Sequence, residues 1–179
     1  MLLSAERSLL LVIDIQDRLM PAIFEGERVV RKSAALMAAA AEMAVPVLIT
    51  EQYPKGLGHT APVLLESGGY EMFEKITFSA ARTPAVSDRL AVLGRDQIVI
   101  CGAEAHVCVQ QTAIDLKVAG YEVFVVADAI SSREPDNARL AIERMRGLGL
   151  QVLSSEMVIF EWLERAGTPS FKAVLPLIK

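Results

Sequence analysis

The sequence predicts an α/β protein with three α/β/α layers around a parallel sheet of roughly six strands. Apolar runs of about five residues alternate with longer amphipathic stretches along the 179 residues, which is typical of β-α-β units. The composition is 53% hydrophobic and the mean hydropathy is +0.38. Strands of a parallel sheet covered on both sides are buried on both faces, so this fold accounts for the high apolar content.

The first half of the chain supplies three predicted strands and two predicted helices. Leu9–Ile13 is an unbroken apolar run and predicts the first strand. Val29–Ala44 predicts a helix that ends near Pro46, and Val47–Ile49 predicts the second strand. Tyr70–Lys75 is ambiguous, and a short strand is one interpretation of it.

A helix over Pro84–Leu93 completes this half, with Thr83 as N-cap and Gly94 as its stop. The second half repeats the alternation with shorter connections. The predicted elements in order are strand Gln97–Cys101, helix Val107–Ala119, strand Glu122–Ala127, helix Pro135–Leu148, strand Gln151–Leu153, helix Glu156–Arg165 and a short helix within Pro169–Ile178. No repeat or linker interrupts the series, so residues 1–179 are expected to form a single domain.

Several classes of protein are excluded or disfavoured by composition. Membrane spans need about 20 consecutive apolar residues, and no run approaches that length before a charged residue intervenes. The net charge of -4 and the absence of a basic run disfavour nucleic-acid binding. Cys101 and Cys108 do not make a disulfide framework, and no secretory signal opens the chain, so we expect a cytoplasmic protein. The apolar surplus also hints at a subunit interface.

Three polar residues fall where reactive groups gather, just beyond the carboxyl ends of parallel strands. Asp14 follows the first strand, Lys75 closes the Tyr70–Lys75 segment, and Cys108 follows the central strand. Cys108 is predicted at a helix N-terminus, where the dipole and unpaired N–H groups favour a thiolate and bind an oxyanion.

Each of these residues also has a structural interpretation. An unpaired cysteine is often a small buried hydrophobe, and this is our expectation for Cys101 within its strand. Asp14 could cap a turn or pair with Arg18, and Lys75 could be solvated. The functional interpretation depends on the three residues as a set.

Five segments in order resemble motifs of the isochorismatase-like cysteine hydrolases. They are Val12–Asp17, Thr50–Gly58, Glu74–Ser79, Gly102–Val109 (GAEAHVCV) and Ser155–Leu163. The second and fifth resemble one branch in particular, the isochorismatase domain-containing proteins. The resemblance runs from residue 8 essentially to the C-terminus.

The resemblance implies an isochorismatase-like, Rossmann-like fold and a Cys-Asp-Lys triad. Asp14 would take the proton from Cys108 and pass it to the leaving group, while Lys75 would hold the carboxylate and stabilise the thiolate. A cis peptide bond at Ala103–Glu104 is implied, with the N–H groups of Glu104 and Cys108 forming an oxyanion hole. A thioester intermediate would then be resolved by water.

The resemblance also has departures that bear on cofactors. The nicotinamidase branch carries an Asp and several His residues after its second strand, which bind a metal. Here that stretch reads Glu51-Gln52-Tyr53-Pro54-Lys55, with His59 alone further on. We therefore expect no metal and no cofactor, and we interpret His59 as a loop residue near the pocket mouth.

The sequence thus predicts a cofactor-free cysteine hydrolase acting on a non-peptide C–N or related bond of a small, partly apolar molecule. The predicted substrate-binding residues are Gln16, Tyr53, Phe78 and His106, with Leu57 as a further candidate. Members of this family usually form homo-oligomers, which we also expect here. Two alternatives stay open: a non-catalytic oligomeric interaction module, and a thiol redox sensor. For the sensor no resolving cysteine is obvious, because Cys101 is expected to lie inside the sheet.

Overall fold

The computed structural model describes residues 2–178, which form a six-stranded parallel sheet with helices on both faces. This confirms the predicted fold class. The strands are β1 Ser8–Ile13, β2 Val47–Gln52, β3 Tyr70–Lys75, β4 Gln97–Ala103, β5 Glu122–Ser131 and β6 Gln151–Leu153. The α-helices are α1 Gly26–Glu42, α2 Pro54–Leu57, α3 Pro84–Leu93, α4 Gln110–Val118, α5 Pro135–Gly147, α6 Ser155–Leu163 and α7 Pro169–Val174.

Shorter helical turns complete the connections. The 3-10 turns are Met20–Ala22, Pro62–Ser67, Ala80–Arg82 and Leu175–Leu177, and a π-helical turn covers Ala105–Val109. Within residues 2–178, none of the helices combines the length and the apolar character that a membrane span requires.

The order of the strands determines where a site can form. The sheet runs β3-β2-β1-β4-β5-β6, and every pairing is parallel. β1 pairs with β2 on one side and with β4 on the other, so the order reverses between β1 and β4. The connections that leave these two strands run to opposite sides, which opens a crevice at the carboxyl edge.

Two apolar clusters, one on each face of the sheet, make up the core. β1 is buried throughout, and its side chains alternate between the clusters: Leu10 and Val12 belong to one, and Leu9, Leu11 and Ile13 belong to the other. Helices α1, α6 and α7 cover the first face, and α3, α4 and α5 cover the second. This double burial is the origin of the high apolar content.

The structure resolves one ambiguity in the predicted elements and differs from them at two places that matter for the site. Tyr70–Lys75 is the edge strand β3, pairing with β2 along its whole length. β5 continues past Ala127 to Ser131. The helix predicted over Val107–Ala119 begins instead as the π-helical turn, because the Glu104 carbonyl accepts the N–H groups of both Val107 and Val109.

Candidate active site

Asp14 and Lys75 form a fully buried ion pair at the carboxyl edge of the sheet. Lys75 Nζ lies 2.7 Å from Asp14 Oδ2, and neither side chain is exposed. Asp14 directly follows β1 in a left-handed conformation with φ of 51°, and Lys75 is the last residue of β3. The pair therefore spans the end of the intervening strand β2.

Hydrogen bonds to neighbouring groups complete this pair. The Lys75 ammonium donates to Gln52 Oε1 at 2.6 Å and to the carbonyls of Phe78 and Thr77 at 3.2 and 3.3 Å. Thr50 Oγ1 donates to Asp14 Oδ1 at 2.7 Å. Burial raises the pKa of the Asp14 carboxyl, against the opposing effects of Lys75 and Thr50. A carboxylate of raised pKa is a stronger base.

The Cys108 thiol lies next to this pair. Its side chain is buried, and both Asp14 and Lys75 lie close enough to act on its pKa. Burial and the Asp14 charge together raise the pKa of Cys108 to about 12, and Lys75 opposes both. Burial and the carboxylate thus act against the thiolate that a helix N-terminus is expected to favour. At neutral pH the thiol keeps its proton and needs a base to react.

The turn before Cys108 is held by close contacts. Gly102 has φ of 126°, and a Cβ there would lie 2.0 Å from the Ile13 carbonyl oxygen, so only glycine fits. The Ala103–Glu104 peptide bond is cis. The Glu104 carboxylate accepts the Arg133 N–H at 2.9 Å and its Nε at 3.1 Å, which ties the turn to the segment after β5.

Two predicted substrate-binding residues lie beside the buried pair with exposed rings. Tyr53 and Phe78 expose 53% and 54% of their surface. The Tyr53 N–H donates to the Lys75 carbonyl at 3.0 Å, and the Phe78 carbonyl accepts from the Lys75 ammonium. His106 is half-buried, and its Nδ1 lies 2.9 Å from Ser132 Oγ. These geometries leave the aromatic rings available to a bound molecule.

Gln16 and His59 are placed differently. Gln16 is fully buried and its amide is occupied by backbone groups: Oε1 accepts the Gln52 N–H, and Nε2 donates to the carbonyls of Gln52 and Gly58. The geometry does not support substrate binding by Gln16. The exposed His59 ring lies 3.1 Å from the carboxylate of buried Glu51. In the described part of the chain, no three His, Cys, Asp or Glu side chains are grouped to hold a metal ion.

Two residues at the site were not predicted, Thr50 and Gln52. Both lie at the carboxyl end of β2, directly after the apolar run Val47–Ile49. The change from apolar to polar residues at the end of a parallel strand is the signal that identifies them, the same signal that identified Asp14.

Comparison with known proteins places the chain in a family. The model of the isochorismatase domain matches residues 8–157. Isochorismatase family protein 1B of Dictyostelium discoideum is 38% identical over 180 residues, covering 97% of this chain and 87% of its own length. Isochorismatase domain-containing protein 2 of Danio rerio is 38% identical over 177 residues, with 98% and 89% covered.

A solved structure extends the comparison to three dimensions. The structure named MAR1 ribonuclease from Caenorhabditis elegans superposes with a TM-score of 0.94 at 36% sequence identity. The alignment covers 99% of this chain and 92% of that one. The chain belongs to the isochorismatase family, as its five motifs predict.

Proposed function

We propose that this isochorismatase-family chain is a hydrolase that cleaves an amide-type C–N bond, or a related bond, of a small molecule with Cys108 as nucleophile. The observation that carries the proposal is the buried Asp14–Lys75 ion pair, whose two charges both act on the buried Cys108 thiol. Burying two charges is costly, and well-packed apolar side chains would serve stability as well or better. A nucleophile that needs a base and an electrostatic partner accounts for the arrangement.

In the first half of the reaction, Asp14 takes the proton from the Cys108 thiol as Sγ attacks the substrate carbonyl carbon. The carbonyl π electrons move to oxygen, and the resulting oxyanion is stabilised by the N–H groups of Glu104 and Cys108. The C–N bond then breaks. Asp14 returns its proton to the leaving nitrogen, so that the amine departs neutral and a thioester remains on Cys108.

In the second half, water attacks the thioester carbon and gives a proton to Asp14. The C–S bond breaks as the oxyanion collapses, the acid product leaves, and the proton on Asp14 returns to Cys108. Lys75 stays charged throughout and stabilises whichever of Asp14 and Cys108 is negative. Protons and electron pairs balance over the cycle, and no cofactor takes part in it.

The surroundings support a small, partly apolar substrate. Tyr53 and Phe78 offer exposed rings beside the pair, and His106 is the polar candidate nearby. We also propose a single isochorismatase-like domain in a reducing compartment such as the cytoplasm, where two buried cysteines stay unpaired. Homo-oligomer formation is part of the proposal, and exposed apolar side chains such as Val92, at 74%, support it.

The test is a screen of small amides and esters against the wild type and two cysteine variants. Cys108→Ala is expected to abolish turnover, whereas the matched control Cys101→Ala retains it. Rapid quenching followed by intact-mass measurement is expected to detect the acyl group on wild-type Cys108 alone. Full activity of Cys108→Ala on a substrate of the wild type would disprove the covalent mechanism.

RNA cleavage is a second candidate, because the similar nematode structure carries the name ribonuclease. The net charge of -4 and the acidic pI of about 5.3 weigh against it, since RNA binding depends on neutralising phosphates with lysine and arginine. Incubating single-stranded RNA with the same three proteins separates the two candidates. Cleavage that is lost in Cys108→Ala and kept in Cys101→Ala would replace amide hydrolysis as the assigned activity.

A further inference from the structure

Four polar side chains form a closed ring of hydrogen bonds across the ends of three strands. Lys75 donates to Asp14 and to the Gln52 side chain. The side-chain amide of Gln16 accepts the Gln52 N–H and donates to the Gln52 carbonyl. The ring closes through the backbone, because the Gln16 N–H donates to the Asp14 carbonyl at 3.0 Å. Asp14 and Gln16 follow β1, Gln52 ends β2, and Lys75 ends β3.

Each amide in the ring has a single orientation that satisfies its neighbours. Gln52 Oε1 faces the Lys75 ammonium at 2.6 Å, and its Nε2 donates to the Ile76 carbonyl at 2.8 Å. Exchanging the two atoms would set a donor against the ammonium and an acceptor against the carbonyl. Gln16 is fixed in the same way by the Gln52 N–H and the Gly58 carbonyl.

The ring determines what the Lys75 ammonium can do. An ammonium carries three hydrogens, and among residues 2–178 four acceptors lie within 3.3 Å of Nζ: Asp14 Oδ2, Gln52 Oε1 and the carbonyls of Thr77 and Phe78. These acceptors outnumber the hydrogens. No N–H of Lys75 remains for a substrate oxygen or a leaving group.

We propose that Gln52, itself held by Gln16, is a positioning residue that keeps the Lys75 ammonium fully hydrogen-bonded beside Asp14. Lys75 then acts on the reaction through its charge alone and neither binds the substrate nor moves a proton to it. The inference rests on the proposed function for its consequence in catalysis. Its structural content, the immobile ammonium, is measurable without any substrate.

The direct test is nuclear magnetic resonance of the lysine ammonium groups in ¹⁵N-labelled protein. The Lys75 signal is assigned by its disappearance in Lys75→Arg, and its hydrogens are expected to exchange slowly with water. Gln52→Met keeps the length of the side chain but removes the shortest contact of the ammonium, at 2.6 Å. Besides Asp14, the carbonyls left to its hydrogens lie at 3.2 and 3.3 Å, where hydrogen bonds are weaker. We expect exchange at least about tenfold faster, the equivalent of one charged hydrogen bond. The control Gln151→Met, at the exposed start of β6, is expected to leave exchange unchanged.

A second variant tests the effect on the thiol and covers the case in which Gln52→Met does not fold. Gln52→Glu keeps an acceptor but adds a negative charge near the pair. The pH profile of Cys108 alkylation by iodoacetamide is expected to move upward by about half a unit or more. The control Gln151→Glu is expected to leave the pH profile of Cys108 alkylation unchanged.

The outcomes separate this inference from the proposed function. The positioning role is overturned if the Lys75 hydrogens of Gln52→Met exchange at the wild-type rate. It is also overturned if the pH profile of Cys108 alkylation in Gln52→Glu equals that of the wild type. This holds even if either variant is less stable. A slow Lys75 ammonium that depends on Gln52, in a protein with no hydrolytic turnover, supports the ring and contradicts the proposed hydrolase.

Discussion

Cys101 and Cys108 lie seven residues apart, and they differ in one decisive respect. Both are buried, and burial raises the pKa of each thiol to about 12. Cys101 packs in the apolar cluster beneath α1, α6 and α7, whereas Cys108 lies on the other face, where the charges of Asp14 and Lys75 act on its thiol. Neither burial nor pKa distinguishes the proposed nucleophile from the other cysteine. The adjacent carboxylate, which can accept the thiol proton, does.

The placement of the two thiols also bears on the redox-sensor alternative. Cys101 belongs to the cluster on one face of the sheet and Cys108 to the cluster on the other. A disulfide needs Cβ atoms about 4 Å apart and directed toward each other. The sheet lies between these two side chains, so Cys101 is poorly placed to resolve an oxidised Cys108.

The largest expected effect comes from removing the carboxylate that separates the two cysteines. Asp14→Asn is expected to lower turnover by about 10²- to 10⁴-fold, the usual worth of a general acid-base group. Alkylation of Cys108 at neutral pH is expected to become faster, because the Asp14 charge raises the pKa of Cys108 and Lys75 remains. Paired measurements of hydrolysis and alkylation check this. A parallel fall in both rates would mean that Asp14 only activates the thiol.

The next effect concerns stability and the other member of the ion pair. Lys75→Met leaves the Asp14 carboxylate buried and unpaired, with an expected loss of about 3–5 kcal/mol at neutral pH. Lys75 lowers the pKa of Asp14, so without it the carboxyl protonates more readily and the loss shrinks as the pH falls. Urea denaturation over a range of pH measures the loss of stability and its dependence on pH.

The double variant Asp14→Asn/Lys75→Met is the control for that measurement. It removes both charges and is expected to recover much of the loss. Lys117→Met, at an exposed position, should change the free energy of unfolding by about 0.5 kcal/mol or less. A loss below about 1 kcal/mol in Lys75→Met would show that the pair contributes little.

The smallest effect is one in which the two cysteines should behave alike. Each thiol has a pKa of about 12 in the folded protein against an ordinary value of 9.0, so the unfolded chain loses its proton first. The stability this provides is complete below pH 9.0 and is lost as the pH rises toward about 12. Each thiol adds up to about 1.4 kcal/mol per pH unit to that decline.

Urea denaturation at about pH 8 and about pH 10 checks this in three proteins, the wild type, Cys101→Ala and Cys108→Ala. Each substitution is expected to reduce the alkaline decline by a similar amount. A reduction confined to one variant would mean that the environments of the two thiols differ in the folded protein.

Much of the fold could be predicted from the sequence because a doubly covered sheet gives short apolar runs a single interpretation. Leu9–Ile13 was predicted within one residue of β1, and Tyr70–Lys75 has the bounds of β3. The alternating pattern of β3 was ambiguous because an edge strand is only partly buried. The strand over Glu122–Ala127 was predicted too short: the apolar run is interrupted at Asp128. In the structure, Asp128 binds Ser155 while β5 continues.

The candidate site was also predictable only in part. Asp14, Lys75 and Cys108 could be singled out because the carboxyl ends of parallel strands converge, which is a property of topology. The role of Gln16 depends on the path of the loop that brings the Gly58 carbonyl to its amide. The pKa of Cys108 depends on the balance of burial against two opposite charges. Neither the loop path nor this balance is encoded in residue spacing.

The exposed rings of Tyr53 and Phe78 give this site a capacity for divergence. Each ring projects from a loop whose backbone, through the Tyr53 N–H and the Phe78 carbonyl, is anchored to Lys75. Exposed side chains are exchanged with free-energy changes of about 0.5 kcal/mol or less, so these positions can vary without disturbing the ion pair beneath them. Substitution at these two positions would then change which molecules the site accepts and leave the proposed chemistry in place. Among proteins related by such substitutions, the buried ion pair would persist while the bound molecule changes.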